Sequence, residues 1–196
     1  MPITLGPPEG YRIERLDTTI HDRNGFSCGV VPLDEFLRTQ ASQQQTRNLL
    51  STHVLTENKP PVEGVARTVV SYVSLVSAEV PLVDCPEAIK KLTKHPRIPV
   101  VLLARMGVDS NHKKKGLGEY LLKFAFKCAW DISQLAGCYA VVVDAKDEQI
   151  KEFYTKYGFM ELPDRPLRLF LPIATMREFF KQELKTVDDS QKESSC

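Results

Sequence analysis

The sequence predicts an α/β fold, in which strands and helices alternate along one chain of 196 residues. Three runs rich in apolar and β-branched residues, 65–80, 100–109 and 138–145, are typical of buried strands. Between the last two runs, from Gly116 to Ile132, apolar residues recur three and four positions apart, which is the pattern of an amphipathic helix. These observations predict a β-sheet covered by helices.

The N-terminal half is predicted to contain two strands and a helix before the first of these long runs. Residues 11–16 alternate polar and apolar side chains, as a half-buried edge strand does. Residues 32–50 are predicted to form a helix, and residues 51–57 are rich in strand formers. The apolar positions that predict the helix are Leu33, Phe36, Leu37 and Ala41.

The C-terminal half adds shorter elements around the two buried strands. The polar connection 81–99 is predicted to hold one short helix over 86–95. Residues 147–159 predict a helix that Gly158 ends, because glycine readily adopts the left-handed conformation at a helix C-terminus. Further elements are expected as a strand over 166–173 and a final helix over 174–185.

Composition is that of an ordinary soluble domain, and we expect a single domain over residues 1–183 followed by a flexible polar tail over 184–196. The formal net charge of +1 excludes a global basic field for nucleic acid, so any such site must be local. The five cysteines show no C-x-x-C spacing, which argues against a metal site or a disulfide framework. With neither a signal peptide nor a membrane-spanning run, a cytoplasmic location is expected.

The stretch SNHKKKGLGEYLL, residues 110–122, joins the end of a predicted buried strand to the start of the amphipathic helix. Unpaired N–H groups at a helix N-terminus suit a phosphate, the glycines let a ligand approach the backbone, and the lysines add charge. The spacing is neither the Walker pattern nor G-x-G-x-x-G. From these residues alone, a phosphate pocket, a nucleic-acid patch and a solvated loop all stay open.

In its context, this stretch resembles the GNAT superfamily of acyl-CoA-dependent N-acetyltransferases. The pyrophosphate loop of that superfamily is written Q/R-x-x-G-x-G/A, and KKKGLG at residues 113–118 matches it except at Lys113, which lacks the planar side chain of Gln or Arg. The resemblance implies the GNAT fold, a mixed central β-sheet with a splayed parallel strand pair flanked by helices. It also implies acetyl-CoA as cosubstrate, without a metal. The tyrosine of FYTKYGF, Tyr154, matches the position of the general acid.

Several separated blocks are similar, in order and spacing, to the GNAT toxins of bacterial toxin–antitoxin pairs. They are FSCGVVPLDEFLRTQASQ, PEAIKKLTKHPRIPVVLLARMGVD and LRLFLPIATM. This resemblance implies acetylation of the α-amino group of aminoacyl-tRNA, which blocks translation. It further implies an antitoxin with a ribbon-helix-helix part, which neutralises the toxin. A homodimer is a further possibility, but no exposed seam in the sequence assigns its interface.

The resemblance carries over to individual residues. Backbone groups of Met106, Gly107 and Val108 are expected to pair with the pantetheine arm, and a backbone N–H among them to stabilise the oxyanion. The residues expected around the pyrophosphate and the rest of acetyl-CoA are Lys113, Lys114, Lys115, Gly116, Leu117, Gly118, Glu119 and Phe153. Asp109 is expected to cap the loop, and Cys28 to be a buried core residue rather than a nucleophile. Five further cations are candidate contacts for tRNA: Arg47, Lys90, Lys91, Lys94 and Arg97.

Two other functions remain open at this stage. One is a stand-alone GNAT enzyme that acetylates a small amine or a protein lysine, which the near-neutral net charge favours. The other is a module that binds acyl-CoA without turnover, for which Lys113 in place of Gln or Arg is the sequence support.

Overall fold

The computed structural model describes residues 6–60 and 62–176 of the chain. In it, eight strands and five α-helical segments follow one another, and their order confirms the predicted α/β fold. The strands are β1 (Tyr11–Arg15), β2 (His21–Asp22), β3 (Ser51–Glu57), β4 (Arg67–Pro81), β5 (Arg97–Val108), β6 (Ala140–Asp144), β7 (Met160–Leu162) and β8 (Arg165–Pro172). The helical segments are α1 (Val31–Glu35), α2 (Ala41–Thr46), α3 (Glu87–Lys90), α4 (Leu117–Leu135) and α5 (Glu148–Thr155).

The sheet is mixed. Its strand order is β1-β3-β4-β5-β6-β8-β7, and β2 pairs with β4 outside that order. β1, β3 and β4 are antiparallel neighbours, and so are β6, β8 and β7, whereas β5 and β6 are parallel. The expected parallel pair is thus confirmed, and the splaying of its two strands stays a prediction.

The described residues fall into two compact units. The first unit comprises residues 6–60, 62–77 and 102–125, and the second comprises residues 78–101 and 126–176. In the first unit, Phe26, Phe36, Leu37 and Tyr72 form a buried core between the helix α1–α2 and the strands. The centroid of the Tyr72 ring lies 5.4 Å from that of Phe26 and 6.3 Å from that of Phe36.

The core of the second unit is built from the helix α5, the C-terminal part of α4 and the strands β6 and β8. Its buried members include Phe126, Val142, Tyr154, Phe159 and Leu169. The pairing of β6 with β8 runs from Ala140 opposite Pro172 to Asp144 opposite Arg168. The prediction of one domain over residues 1–183 stays a prediction, and the tail 184–196 and most of the helix 174–185 lie outside the described residues.

The first predicted helix, 32–50, is partly wrong. Five residues of π-helix, Phe36–Gln40, separate α1 from α2, and α2 ends at Thr46. It ends there because Asn48 adopts a left-handed φ of 55°, so that its N–H reaches the carbonyl of Gln45 and the Leu49 N–H reaches that of Gln44. This is the Schellman arrangement, with asparagine where glycine is more usual.

Three other elements differ from expectation. The helix predicted over 86–95 is a single turn, and the short strands β2 and β7 were not predicted. β7 forms a hairpin with β8 through Pro163 and Asp164, whose φ is 61°. Proline followed by a residue of positive φ is the pattern of a type II turn. α5 ends as expected, with Gly158 at a φ of 86°.

Candidate active site

The predicted phosphate loop, residues 113–118 (below, the phosphate loop), follows a short 3-10 turn, Ser110–His112, and its last two residues begin the helix α4. Its backbone is fixed by two left-handed residues, Lys114 with a φ of 62° and Gly116 with a φ of 74°. Tyr120 N–H donates to the Gly116 carbonyl, which places the start of α4 at the loop. A helix of 19 residues therefore begins at this point, with the open N–H groups and partial positive charge of its first turn beside the lysines.

The charge of the loop is not neutralised by neighbouring acids. Lys113, Lys114 and Lys115 are exposed, and within the described part of the chain none of them forms an ion pair. Glu119, also predicted at this site, is exposed and pairs instead with Lys123 at 3.3 Å. Three free ammonium groups beside a helix N-terminus are donors that suit a pyrophosphate, so the residues present fit acetyl-CoA at this loop.

Asp109 caps the 3-10 turn Ser110–His112, which leads into the loop. It is 7% exposed, and its side chain accepts hydrogen bonds from the backbone N–H of Asn111 at 2.9 Å and of Ser27 at 3.0 Å. Its own N–H donates to the Val70 carbonyl in β4. The predicted cap is therefore confirmed. Burial raises the pKa of this carboxyl, but the two N–H donors and the nearby His112 outweigh it and leave the pKa below its usual value.

The end of β5 supplies the residues predicted to pair with pantetheine. Met106 and Val108 are half-buried and Gly107 is buried. A Cβ atom on Gly107 would lie 3.0 Å from Tyr72 Cε1 and 3.3 Å from Phe26 Cζ, so core packing requires this glycine. The sequence prediction gave it a role in ligand binding alone and missed the packing role.

Gly118 has a different environment. A Cβ atom there would lie 3.8 Å from Val108 Cγ2, which is an ordinary contact. Leu117, between the two loop glycines, is 1% exposed and belongs to the core, so only its backbone faces a ligand site. The start of α4 thus lies against the end of β5 at Gly118.

Tyr154, in the second unit, lies in an aromatic cluster near the end of α5. It is 5% exposed, and its ring centroid lies 5.2 Å from that of Phe153 and 5.4 Å from that of Phe159. Burial raises the pKa of this phenol above its ordinary value, so the hydroxyl keeps its proton at neutral pH. Among the residues that the structure describes, the hydroxyl has no hydrogen-bond partner, which leaves it free to donate to a ligand.

The candidate tRNA contacts are divided between the two units. Lys90, Lys91, Lys94 and Arg97 follow one another from α3 to the start of β5, whereas Arg47 is the C-cap of α2 in the first unit. Lys90 pairs with Glu87 at 2.9 Å and Arg97 pairs with Glu79 at 3.6 Å. The prediction that these cations contact tRNA stays a prediction.

Sequence analysis missed the turn formed by residues 27–29, which lies beside the phosphate loop. A Cβ atom on Gly29 would lie 3.8 Å from Lys113 Nζ, and Ser110 N–H donates to the Ser27 carbonyl. The motif FSCG was noticed for its cysteine, but burial raises the pKa of the Cys28 thiol to about 11, as expected for a core residue rather than a nucleophile.

Comparisons with known proteins identify the family of this chain. The family model described as "Acetyltransferase (GNAT) domain" matches residues 66–161. The chain is 31% identical, over 84% of its length and 92% of the relative, to a probable toxin TacT of Sinorhizobium fredii. It is 30% identical, over 83% of its length and 92% of the relative, to a tRNA-acetylating toxin of Mycobacterium tuberculosis.

Solved structures of AtaT and KacT share the fold of this chain. AtaT complexed with acetyl-methionyl-tRNAfMet superposes with a TM-score of 0.79 at 27% identity, over 87% of this chain and 99% of AtaT. AtaTR bound with acetyl-CoA has a TM-score of 0.71 at 27% identity, over 88% of this chain and 99% of that one. A variant of KacT, at 24% identity over 87% of this chain and 99% of KacT, has a TM-score of 0.80 and shares the fold.

No helix in the described ranges combines the length and the apolar character that crossing a bilayer requires. Because the chain is 31% identical to the Sinorhizobium toxin and covers 92% of it, and because the GNAT model matches its centre, the chain belongs to the GNAT acetyltransferases, in the family of the TacT-type toxins.

Proposed function

We propose that this chain transfers the acetyl group of acetyl-CoA to the α-amino group of an aminoacyl-tRNA and so acts as a translation-blocking toxin. The observation that carries the proposal is the phosphate loop at the start of α4, with three lysines free of carboxylate partners, in a chain of the toxin family. AtaT, a neighbour of the same fold, was solved with acetyl-methionyl-tRNAfMet. Charged tRNA is found in the cytoplasm, so we assign the activity to that compartment.

In this proposal, acetyl-CoA supplies an activated thioester, and the chain supplies its binding site and a proton. The lysines and the N–H groups of residues 116–118 hold the pyrophosphate. Backbone groups of residues 106–108 pair with the pantetheine arm, and one of their N–H groups stabilises the developing oxyanion. Phe153 and Glu119 are proposed as further contacts of the cosubstrate.

Tyr154 is the proposed general acid. The hydroxyl of this buried residue is protonated and has no partner among the described residues, and it donates a proton to the thiolate that leaves when the amine nitrogen bonds to the carbonyl carbon. The attacking nitrogen releases one proton, which returns the tyrosine to its neutral form. The α-amine of an aminoacyl ester is less basic than a lysine amine, so it reaches the site largely neutral and needs no strong base.

The tRNA is proposed to approach along the basic connection that holds Lys90, Lys91, Lys94 and Arg97, with Arg47 as a further contact. A cognate antitoxin is proposed as partner, since AtaT was solved in complex with the antitoxin AtaR. A ribbon-helix-helix part in that partner and a homodimeric toxin remain predictions.

The test uses purified protein, acetyl-CoA and a total pool of charged tRNA, with mass spectrometry of the aminoacyl-adenosine released by nuclease. N-acetylated product is expected, and Tyr154→Phe should lower kcat by about 10²- to 10⁴-fold without weakening acetyl-CoA binding. Tyr139→Phe is the matched control, because burial raises the pKa of Tyr139 as well but this residue precedes the N-terminal end of β6.

Two results would contradict the proposed function, and a third would contradict the role of Tyr154. Acetylation of a polyamine or lysine peptide, with charged tRNA unmodified, would identify a stand-alone GNAT enzyme. Binding of acetyl-CoA without acetylation of any amine would identify a binding module. Full activity of the Tyr154→Phe variant would remove Tyr154 from the role of acid.

A further inference from the structure

Two buried carboxylates hold the same surface turn, residues 27–29. Asp34, in α1, is 5% exposed, and Asp109, after β5, is 7% exposed. Asp34 accepts hydrogen bonds from the backbone N–H of Cys28 at 2.8 Å and from the hydroxyl of Ser27 at 3.2 Å. Asp109 accepts one from the backbone N–H of Ser27 at 3.0 Å. The turn is therefore fixed from two sides by elements far apart in the chain.

These carboxylates are ionised in spite of their burial. Burial raises the pKa of Asp34, but the N–H of Cys28, the Ser27 hydroxyl and the charge of Arg38 outweigh it and leave the pKa below its ordinary value. A buried charge is unfavourable unless hydrogen bonds satisfy it. Asp34 obtains both of its bonds from this turn, and Asp109 obtains one of its two bonds there, so releasing the turn would leave each carboxylate with fewer donors.

The turn 27–29 contacts Ser110, just before the phosphate loop, and lies near the side chain of Lys113. Ser110 N–H donates to the Ser27 carbonyl at 2.8 Å. Gly29, with a left-handed φ of 84°, lies under the Lys113 side chain, since a Cβ atom on it would be 3.8 Å from Lys113 Nζ and 3.9 Å from Ser110 Oγ. The glycine thus allows both the backbone conformation and the close approach of the ammonium group.

We propose that Asp34 and Asp109 are positioning residues, which hold the turn 27–29 beneath Lys113 and so place that side chain for the phosphates of acetyl-CoA. The inference rests on the proposed function, because it assigns the phosphate loop to acetyl-CoA. Neither carboxylate faces the cosubstrate; each acts through the turn. If the Lys113 side chain is already ordered, it loses less entropy when the cosubstrate binds. Loss of the turn should therefore lower the affinity for the cosubstrate and leave the rate of the chemical step unchanged.

The experiment compares Asp109→Asn, Asp34→Asn and a matched control, Asp17→Asn. The amide of an asparagine keeps one acceptor, so the carboxylate bond to the turn is weakened while the side chain keeps its size. Asp17 also accepts two hydrogen bonds, but both come from Thr19 in its own turn. Calorimetry with CoA as the probe should give a Kd about ten-fold higher for the first two variants and unchanged for the control.

The kinetic readout separates positioning from a general loss of structure. At saturating acetyl-CoA, both variants should keep kcat within about two-fold of the parent, whereas KM for acetyl-CoA rises by the same factor as Kd. Asp34→Asn leaves the hydrogen bond from the Asn111 N–H to the Asp109 cap intact, so it carries the test if Asp109→Asn does not fold by circular dichroism. Unchanged Kd in the folded variants would overturn the inference.

A double variant tests whether the effect passes through Lys113. If it does, Asp109→Asn combined with Lys113→Ala should bind CoA no more than about two-fold more weakly than Lys113→Ala alone. Multiplication of the two single effects would overturn the inference. Absence of CoA binding by the parent chain would instead refute the proposed function, so the two failures are distinguishable.

Discussion

Gly107 lies against the core, so replacing it is predicted to lower the stability of the folded chain. Replacing it with alanine would bring a methyl group within 3.0 Å of Tyr72 Cε1 and 3.3 Å of Phe26 Cζ, both shorter than the 3.5–4.0 Å of an ordinary carbon contact. Tyr72 cannot easily move away. It is fully buried, it packs between Phe26 and Phe36, and its hydroxyl donates to the Leu33 carbonyl at 2.9 Å.

Overpacking of this kind costs about 1–3 kcal/mol. For a chain of this size, each kcal/mol lowers Tm by about 2–4 °C, so Gly107→Ala should lower Tm by about 2–12 °C. Urea unfolding followed by circular dichroism would measure the same loss as a lower midpoint at unchanged slope. A variant as stable as the parent would refute the packing role.

Gly118→Ala is the matched comparison, because the added methyl group meets only Val108 Cγ2, at 3.8 Å. Alanine is also the better helix former by about 1 kcal/mol, so stability should stay equal or rise. Its CoA affinity should fall, since the methyl group stands where a phosphate approaches the helix N-terminus. Unchanged affinity in this variant would contradict close approach at Gly118.

Three other outcomes are expected. Lys113→Gln should keep or improve the affinity for CoA in calorimetry, since it introduces the planar amide of related loops, and a loss beyond ten-fold would contradict the phosphate-loop assignment. Burial and the charge of Arg15 lower the pKa of His53 to about 4. As the pH falls, His53 is therefore protonated in the unfolded chain at a higher pH than in the folded chain. The free energy of unfolding should be complete above pH 6.5 and decline towards pH 4, by about 3 kcal/mol at most. Urea titrations should show this decline, and His53→Gln should flatten it. Replacing Lys91 and Lys94 with alanine should raise KM for aminoacyl-tRNA and reduce its salt slope by about 1.4, with KM for acetyl-CoA unchanged.

The elements that the sequence predicted well are those determined by local pattern. The β-branched runs became β4, β5 and β6. The predicted apolar positions of α4 are buried from Leu117 to Ala129 apart from the half-buried Cys128, whereas Ile132 is 36% exposed. Gly158 ends α5, because a single glycine is enough to set the left-handed conformation that follows a helix. The elements it missed depend on partners elsewhere: β2 exists only through pairing of His21 with Arg67, and β7 only through the hairpin with β8.

The same division applies to the candidate site. The phosphate loop could be predicted, since its lysines and glycines are contiguous and adjoin a strong helix pattern. The link between Ser27 and Asp109 could not, because the two residues are 82 positions apart and both belong to residue types common in turns. Gly107 was assigned to the ligand because the sequence does not show that Tyr72 lies beneath it.

The anchoring of the loop also bears on whether its lysines form a nucleic-acid patch or a phosphate pocket. A patch that attracts a polyanion by charge needs only exposed cations, and mobile side chains serve it as well as fixed ones. Here the backbone adopts a left-handed conformation at Lys114, which is unfavourable for a residue with a side chain. In addition, the buried carboxylate of Asp109, just before the loop, is kept ionised. The first feature is unfavourable and the second is stabilised by hydrogen bonds from the backbone N–H groups of Ser27 and Asn111, and both restrict the backbone that leads into the loop. Fixed position is what a compact pyrophosphate requires, so the geometry favours the pocket and leaves tRNA to the cations elsewhere in the chain.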